Sequence, residues 1–284
     1  LTNNTTGTEN TALGYSALFT ATTASYNTAV GANALKFTTT GAYNTAVGKS
    51  AMASNTTGAS NVAVGYQSLD ANTTGTENVA IGMHALGSNT TASNNTAVGH
   101  DALAQNTTGT QNVAVGYQAL DANTTGAYNT ALGYAALGAN TTAIVSTAIG
   151  WGALSSNTTG AQNTAVGANC MQNNTTGGSN VAMGRQALQS NTTGNNNTVL
   201  GYTALISNTT ADNNTAVGYR SSFANTTGDQ NVAIGADAMY TNSTGEYNVA
   251  MGYMALYTNN ANYNTALGYQ AAYLSTTGTN NVAV

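Results

Sequence analysis

The chain has 284 residues, a formal net charge of −5 and only 5% charged side chains, so it offers no basic surface to a nucleic-acid backbone. Its apolar runs fall far short of the roughly 20 residues needed to cross a bilayer, and a single cysteine, Cys170, cannot close a disulfide within one chain. Proline is absent while glycine numbers 32, which suits uninterrupted backbone ladders because proline donates no hydrogen bond.

Taken in chain order, the elements are copies of one unit. A glycine closes the same short apolar run at Gly14, Gly31, Gly48, Gly65, Gly82, Gly99, Gly116, Gly133, Gly150, Gly167, Gly184, Gly201, Gly218, Gly235 and Gly252, each seventeen residues after the last. Gly268 follows after sixteen, where "YTNNAN" replaces the usual "xNTTGx" spacing. Length alone would suggest one or two globular domains. A period this short points instead to a repeat array. The expected organisation is one continuous array over residues 1–284, with about seventeen units and no separate globular domain. Both ends fall inside a unit, so a fragment of a longer chain is expected. Low complexity often means disorder, but a disordered tract has no need to hold an aliphatic residue at a fixed phase. Cys170 stands where most units have Ala and is read as a small core residue.

Within a unit, Asn comes four residues before the glycine: Asn10, Asn27, Asn44, Asn61, Asn78, Asn95, Asn112, Asn129, Asn163, Asn180, Asn197, Asn214, Asn231, Asn248, Asn264 and Asn281. Only Ser146 breaks the row. Thr or Val follows, then Ala (Val199 excepted), then an apolar residue and the glycine. This run reads as a strand, because its β-branched and aliphatic positions fall two apart on one face. Ala-Leu follows the glycine, and Thr-Thr-Gly, as in Thr73-Thr74-Gly75, predicts a second short extended piece with its turn. Gly and Thr-Thr in every unit argue against a helix.

A unit so short cannot bury its own apolar face, but stacked copies can. The predicted fold class is therefore all-β: a parallel β-solenoid, or β-roll, of about seventeen coils spaced about 4.8 Å apart. Identical residues then lie above one another. The Asn row becomes an amide ladder in which each side chain gives and accepts a hydrogen bond. The Gly row, Gly268 included, marks a corner that needs positive φ or a close backbone approach. The apolar strand face is expected to line the coil, and the small Asn/Ala/Gly face to meet neighbouring chains. The core looks thin for the number of residues it must order, so self-association is expected.

The repeated "NVAIGMHAL" (78–86) and "NVAVGYQAL" (112–120) resemble the N-S-V-A-I-G-x-x-S repeat of YadA-like head domains in trimeric autotransporter adhesins. Related repeats occur in bacteriophage tail fibres. The resemblance spans essentially the whole chain. It implies a left-handed parallel β-roll, a homotrimer with three chains around one axis, and a rigid stalk or head outside the cell, on a cell surface or a virion. The familiar head repeat is a few residues shorter, and the extra residues here fall in the Asn-Thr-Thr arm.

The positions after the glycine vary and are read as exposed corners. Tyr15, Tyr66, Tyr117, Trp151, Tyr202, Tyr219 and Tyr253 form a candidate contact corner, since aromatic rings can stack on sugars. The competing reading is that these rings cover the corner and stiffen the stack. His84, His100 and Asp101 are one coil apart, a spacing that could bring them near each other. They fall short of the three or four convergent ligands of a metal site, so neither metal nor cofactor is expected. Asp70 and Asp121 share a phase but lie three coils apart, roughly 14 Å, too far for paired acid–base work. No Ser-His-Asp arrangement is suggested, and no catalytic residue is expected. Asn-Thr-Thr is also an N-glycosylation pattern, at Asn55, Asn72, Asn89, Asn106, Asn123, Asn140, Asn157, Asn174, Asn191, Asn208 and Asn225, and is expected to be bare.

Three functions compete. The first is the structural shaft of an extracellular fibre, with attachment to a glycan or receptor through a tip outside this piece or along the Tyr corners. The second is a repetitive-surface binder of ice or glycans, although adjacent threonines point to opposite faces and leave one Thr per coil outward. The third is a β-helical enzyme, which would need long inserted loops that this chain lacks.

Overall fold

The computed structural model describes residues 1–284. They form two compact units, Leu1–Ile144 and Val145–Val284. The first holds β1 (Thr11–Leu13), β2 (Thr28–Val30), β3 (Thr45–Val47), β4 (Val62–Val64), β5 (Val79–Ile81), β6 (Thr96–Val98), β7 (Val113–Val115) and β8 (Thr130–Leu132). The second holds β9 (Thr147–Ile149), β10 (Thr164–Val166), β11 (Val181–Met183), β12 (Thr198–Leu200), β13 (Thr215–Val217), β14 (Val232–Ile234), β15 (Val249–Met251), β16 (Thr265–Leu267) and β17 (Val282–Ala283). There is no helix, and so none long and apolar enough to cross a membrane.

Within each unit, consecutive strands pair in parallel with like over like. Thr28 lies over Thr45, Ala29 over Ala46 and Val30 over Val47; Val232, Ala233 and Ile234 lie over Val249, Ala250 and Met251. Each unit is thus a parallel β-solenoid with one strand per coil. The rest of the coil is turns whose backbone also bonds coil to coil, as when Leu35 N–H donates to Ala51 O at 3.0 Å and Gly48 N–H to Val30 O at 2.8 Å.

Two expectations need correction. The strand faces are reversed. The central strand residue is buried from Ala29 to Ala266, Val199 included, while the Thr/Val and aliphatic positions on either side are half-buried or exposed, Ile81 at 40% and Leu132 at 45%. The cause is the width of the coil. The turn after the glycine sends Leu18, Leu35, Met52 and their counterparts inward to full burial, each preceded by a buried small residue such as Ala34 or Ala51. Beside them there is room for a small side chain, Ala in all coils but the one with Val199, and for the Asn amide, so the flanking strand side chains face out. The second correction concerns Thr-Thr, which forms a bend and no strand. Its first hydroxyl donates to the next coil's Thr carbonyl, as from Thr56 Oγ1 to Thr73 O at 2.9 Å, and its second threonine is exposed.

The inward leucines stand in the left-handed region, with φ of 48° at Leu18 and 50° at Leu35. For an L-residue that costs on the order of 1–2 kcal/mol. Full burial of a leucine contributes about 1.5–3 kcal/mol, which offsets it.

The sixteen-residue coil is repaired by a side chain. In a regular coil the Thr73 carbonyl takes the N–H groups of Thr56 and Thr57, at 2.9 and 3.1 Å. In the shortened one, Asn260 Oδ1 does this work, accepting from Ser243 N–H at 2.9 Å and Thr244 N–H at 3.0 Å. Asn260→Ala is expected to cost about 0.5–1.5 kcal/mol, since water can reach the freed donors. Hydrogen exchange should accelerate at Ser243 and Thr244 and stay unchanged at Thr226 and Thr227.

Candidate interaction surfaces

The Asn row before the strand is an internal ladder. Asn27 through Asn129 and Asn163 through Asn264 are buried. Asn27 Oδ1 accepts both the Asn44 N–H at 2.9 Å and Asn44 Nδ2 at 3.1 Å, and Asn44 Nδ2 also donates to Gly58 O at 2.9 Å. Asn10 lies at one end, half-buried, and Asn281 is exposed. At Ser146 the hydroxyl oxygen takes over as acceptor, 3.3 Å from the Asn163 N–H.

A second ladder went unread in the sequence. The asparagines of Asn-Thr-Thr are buried from Asn55 to Asn225. Asn72 Nδ2 donates to Asn55 Oδ1 at 2.9 Å and to Gly75 O at 3.1 Å; Asn174 Nδ2 donates to Asn157 Oδ1 at 2.8 Å. The two ladders meet on one carbonyl, because Asn61 Nδ2 also donates to Gly75 O, at 2.9 Å. A glycan would have to be attached to these same amide nitrogens, and the folded coil leaves it no room.

The corner glycines combine both demands. Gly65 has φ of +138°, and a Cβ there would sit 2.5 Å from Gly82 O. The same close stacking repeats from Gly14 to Gly116 in the first unit and from Gly150 to Gly252 in the second, while Gly268 shares the positive φ without the close backbone neighbour.

Outward, each coil presents two surfaces. The first is the strand face: a rank of Thr or Val beside a rank of Val, Ile, Leu or Met, with no charged residue in either rank. The second is the aromatic corner. Here the rings stack along the coils. Tyr117 lies over His100 at 5.3 Å and Tyr134 at 5.4 Å, Tyr202 over Tyr219 at 5.8 Å, and Tyr253 over Tyr269 at 5.5 Å. A ring covered by its neighbours offers solvent its edge and hydroxyl rather than its face, so these stacks leave little for a sugar to lie on. Tyr15 is the open one, at 80% exposure; Tyr66 has Lys49 and His84 beside it, and Trp151 is exposed. A further aromatic row, five residues after the glycine, stacks Phe223, Tyr240, Tyr257 and Tyr273 at 5.0–5.2 Å. Its seventeen-residue spacing (sixteen at the last step) was visible in the sequence.

The structure brings His84, His100 and Asp101 together. Asp101 Oδ1 lies 3.3 Å from His84 Nδ1, and Oδ2 lies 3.0 Å from His100 Nδ1, the latter without hydrogen-bond alignment. His84 and Asp101 border a shallow depression of about 250 Å³, where Gly87 and Ala104 bring no bulk, with Asp70, Gln67 and Gln105 on its walls. No three of the His, Cys, Asp and Glu side chains converge as metal ligands. Burial raises the Asp70 carboxyl above its ordinary value, opposed by the Ala53 N–H and His84. Burial and then the Asp101 charge raise Asp121, opposed by His100. A carboxyl raised on folding contributes stability below its unfolded value of about 3.9 and loses it as pH rises through the folded value. Asp121→Asn should therefore raise the urea midpoint slightly at pH near 7, by less than about 1 kcal/mol because water reaches half of the group, and change nothing at pH near 3.

Cys170 is buried, its Sγ donates to Ala182 O at 3.2 Å, and burial pushes the thiol up to about 12, so it has no thiolate to offer at neutral pH. In the second unit, Arg220 clasps buried Asp237 through Nε at 2.8 Å and Nη2 at 3.1 Å, with its guanidinium against Tyr219 and Tyr240. This clamp spans adjacent coils and is internal to the surface.

No protein-family model matches the chain, and no curated protein does.

Proposed function

We propose that the chain is the non-catalytic repeat shaft of an extracellular fibre, either a phage tail fibre or a bacterial surface filament, in which three copies pack through their strand faces. One observation carries this reading: the uncharged aliphatic strand face, left half-exposed coil after coil in each unit. Contiguous apolar surface beyond a few hundred Å² marks an interaction site, and a rank without charges suits the dry centre of an interface. The resemblance of "NVAIGMHAL" to YadA-like head repeats supports the same assembly. The one group of chemistry-bearing side chains that meets, His84, His100 and Asp101, lies at an open, shallow surface depression, whereas an active site needs dissimilar groups meeting in a cleft. Attachment to a glycan or receptor falls to a tip or to the exposed edges of the tyrosines.

The test is Ile81→Lys. Ile81 is already 40% exposed in the single chain, so the fold tolerates the change. The variant should keep its β-structure by circular dichroism and fall apart into single chains on gel filtration, while the parent stays assembled. Equal elution of the two would overturn the strand-face interface.

A second reading, a repetitive-surface binder, draws on the same face. Thr28, Thr45 and Thr96 stand in rank beside Val30, Val47 and Val98, two residues across and roughly 6.7 by 4.8 Å between like positions. A chain that stays single would bring it forward.

A further inference from the structure

Parallel coils place like tyrosines face to face, and one pair of coils carries three such stacks. Tyr247 lies over Tyr263 with ring centroids 5.0 Å apart and planes within 5°. Tyr253 lies over Tyr269 at 5.5 Å and 20°. Tyr257 lies over Tyr273 at 5.0 Å and 23°, and on its other side over Tyr240 at 5.2 Å and 6°. The three stacks sit at three different corners of the coils that carry Gly252 and Gly268, one of which is the shortened coil. Tyr247, Tyr253, Tyr263 and Tyr269 are exposed, and Tyr240, Tyr257 and Tyr273 are half-buried, so water and small oxidants reach them.

We propose that these stacked pairs are oxidative modification sites, at which a one-electron oxidant welds adjacent coils of the same chain through dityrosine. Each phenol gives one electron to the oxidant and its hydroxyl proton to water, leaving a phenoxyl radical with spin on the ring carbons next to the oxygen. Two such carbons, one per ring, form a carbon–carbon bond. Each ring then loses the hydrogen at the new bond as a proton and regains one on oxygen, which restores both phenols. The pair has lost two electrons and two protons. With hydrogen peroxide as the terminal oxidant and a haem peroxidase as mediator, one peroxide takes them up and becomes two waters.

The geometry favours this partner over others. A radical on Tyr257 has a tyrosine ring on each face, held there by the backbone ladder, whereas a radical on Tyr15 has Ala32 at the same position of the next coil. Each bond would close a loop of one coil, and cross-links that constrain the unfolded chain stabilise the folded one. The inference concerns contacts inside one chain and stands whether or not three chains assemble.

The experiment treats a mixture of isotopically labelled and unlabelled full chains with hydrogen peroxide and a haem peroxidase. The product is unfolded, cleaved with elastase, and its cross-linked peptides are sequenced by mass spectrometry. The expected links are Tyr247–Tyr263, Tyr253–Tyr269 and, from Tyr257, either Tyr257–Tyr273 or Tyr240–Tyr257, each two hydrogens lighter and each within one isotope. Tyr257→Phe keeps the ring and should abolish both links from position 257 while Tyr247–Tyr263 and Tyr253–Tyr269 persist, which also reports that the coils remain stacked. Chains unfolded in urea before oxidation should lose the preference. Links of mixed isotope, links to Tyr15 as frequent as those within the stacks, or the same links from the unfolded chain would each overturn the proposal.

Discussion

Asn123→Ala is expected to destabilise its unit strongly, although the residue bears the mark of a surface glycosylation site. Asn123 is fully buried. Its Nδ2 donates to Asn106 Oδ1 at 2.8 Å and to Gly126 O at 3.0 Å, and its Oδ1 accepts from Asn140 Nδ2 at 2.9 Å. Alanine strands the Asn106 oxygen and takes from Asn140 its better partner. At about 1–3 kcal/mol for each buried group left wanting, the loss is roughly 2–6 kcal/mol. Whole domains are stable by only about 5–15 kcal/mol. In a stacked array each coil leans on its neighbours, so the damage spreads along the ladder. Urea unfolding should show a large drop in midpoint. Thr125→Ala, two residues on and exposed, is the control and should stay within about 0.5 kcal/mol.

The second large effect is Gly116→Ala. Gly116 has φ of +137°, well outside the left-handed window near +50 to +70° that other residues can use. An added Cβ would lie 2.5 Å from Gly133 O, a backbone atom held by its own ladder. Strain and overlap together amount to roughly 2–6 kcal/mol. Gly87→Ala separates this from a general intolerance of alanine. Gly87 has no positive φ, its added Cβ would lie 3.1 Å from His84 O, and Ala53 and Ala104 hold the same position in other coils. Its midpoint should move by no more than about 1 kcal/mol. A similar drop for both variants would show that the corner conformation is not what selects glycine.

The two results also mark what the sequence could carry. A period of seventeen with Asn, an apolar strand and Gly in phase makes the parallel stack legible, because stacked copies are what bury so small a unit. Strand alternation separates two faces but does not say which one is inside. That depends on Leu35 and its counterparts, which swing into the coil through a left-handed turn that leucine rarely adopts and no local signal announces. Once they fill the interior, a small residue such as Ala29 is what fits beneath them in nearly every coil, with Val199 the one larger side chain, and Val30 faces out. The second ladder was hidden for a different reason. Asn55-Thr56-Thr57 reads equally well as a surface sequon, and only the fold shows its amide turned inward. The pair His84 and Asp101 was legible from spacing alone, because a parallel coil brings residues one period apart together. The stacking of the tyrosine rings follows from the same rule.

The reversal of the strand faces moves the proposed interface. The small Asn and Ala face, first read as the surface that meets other chains, is the interior, and the aliphatic ranks from Val30 to Leu132 and from Ile149 to Leu267 are what a neighbour would cover. The most direct test is the mass of the particle formed by residues 1–284, measured by sedimentation equilibrium over a range of concentrations. The account predicts a species of about three times 28.4 kDa that persists on dilution. A folded single chain of 28.4 kDa at every concentration would contradict it, and would leave the strand face as a surface turned to solvent or to a repetitive ligand.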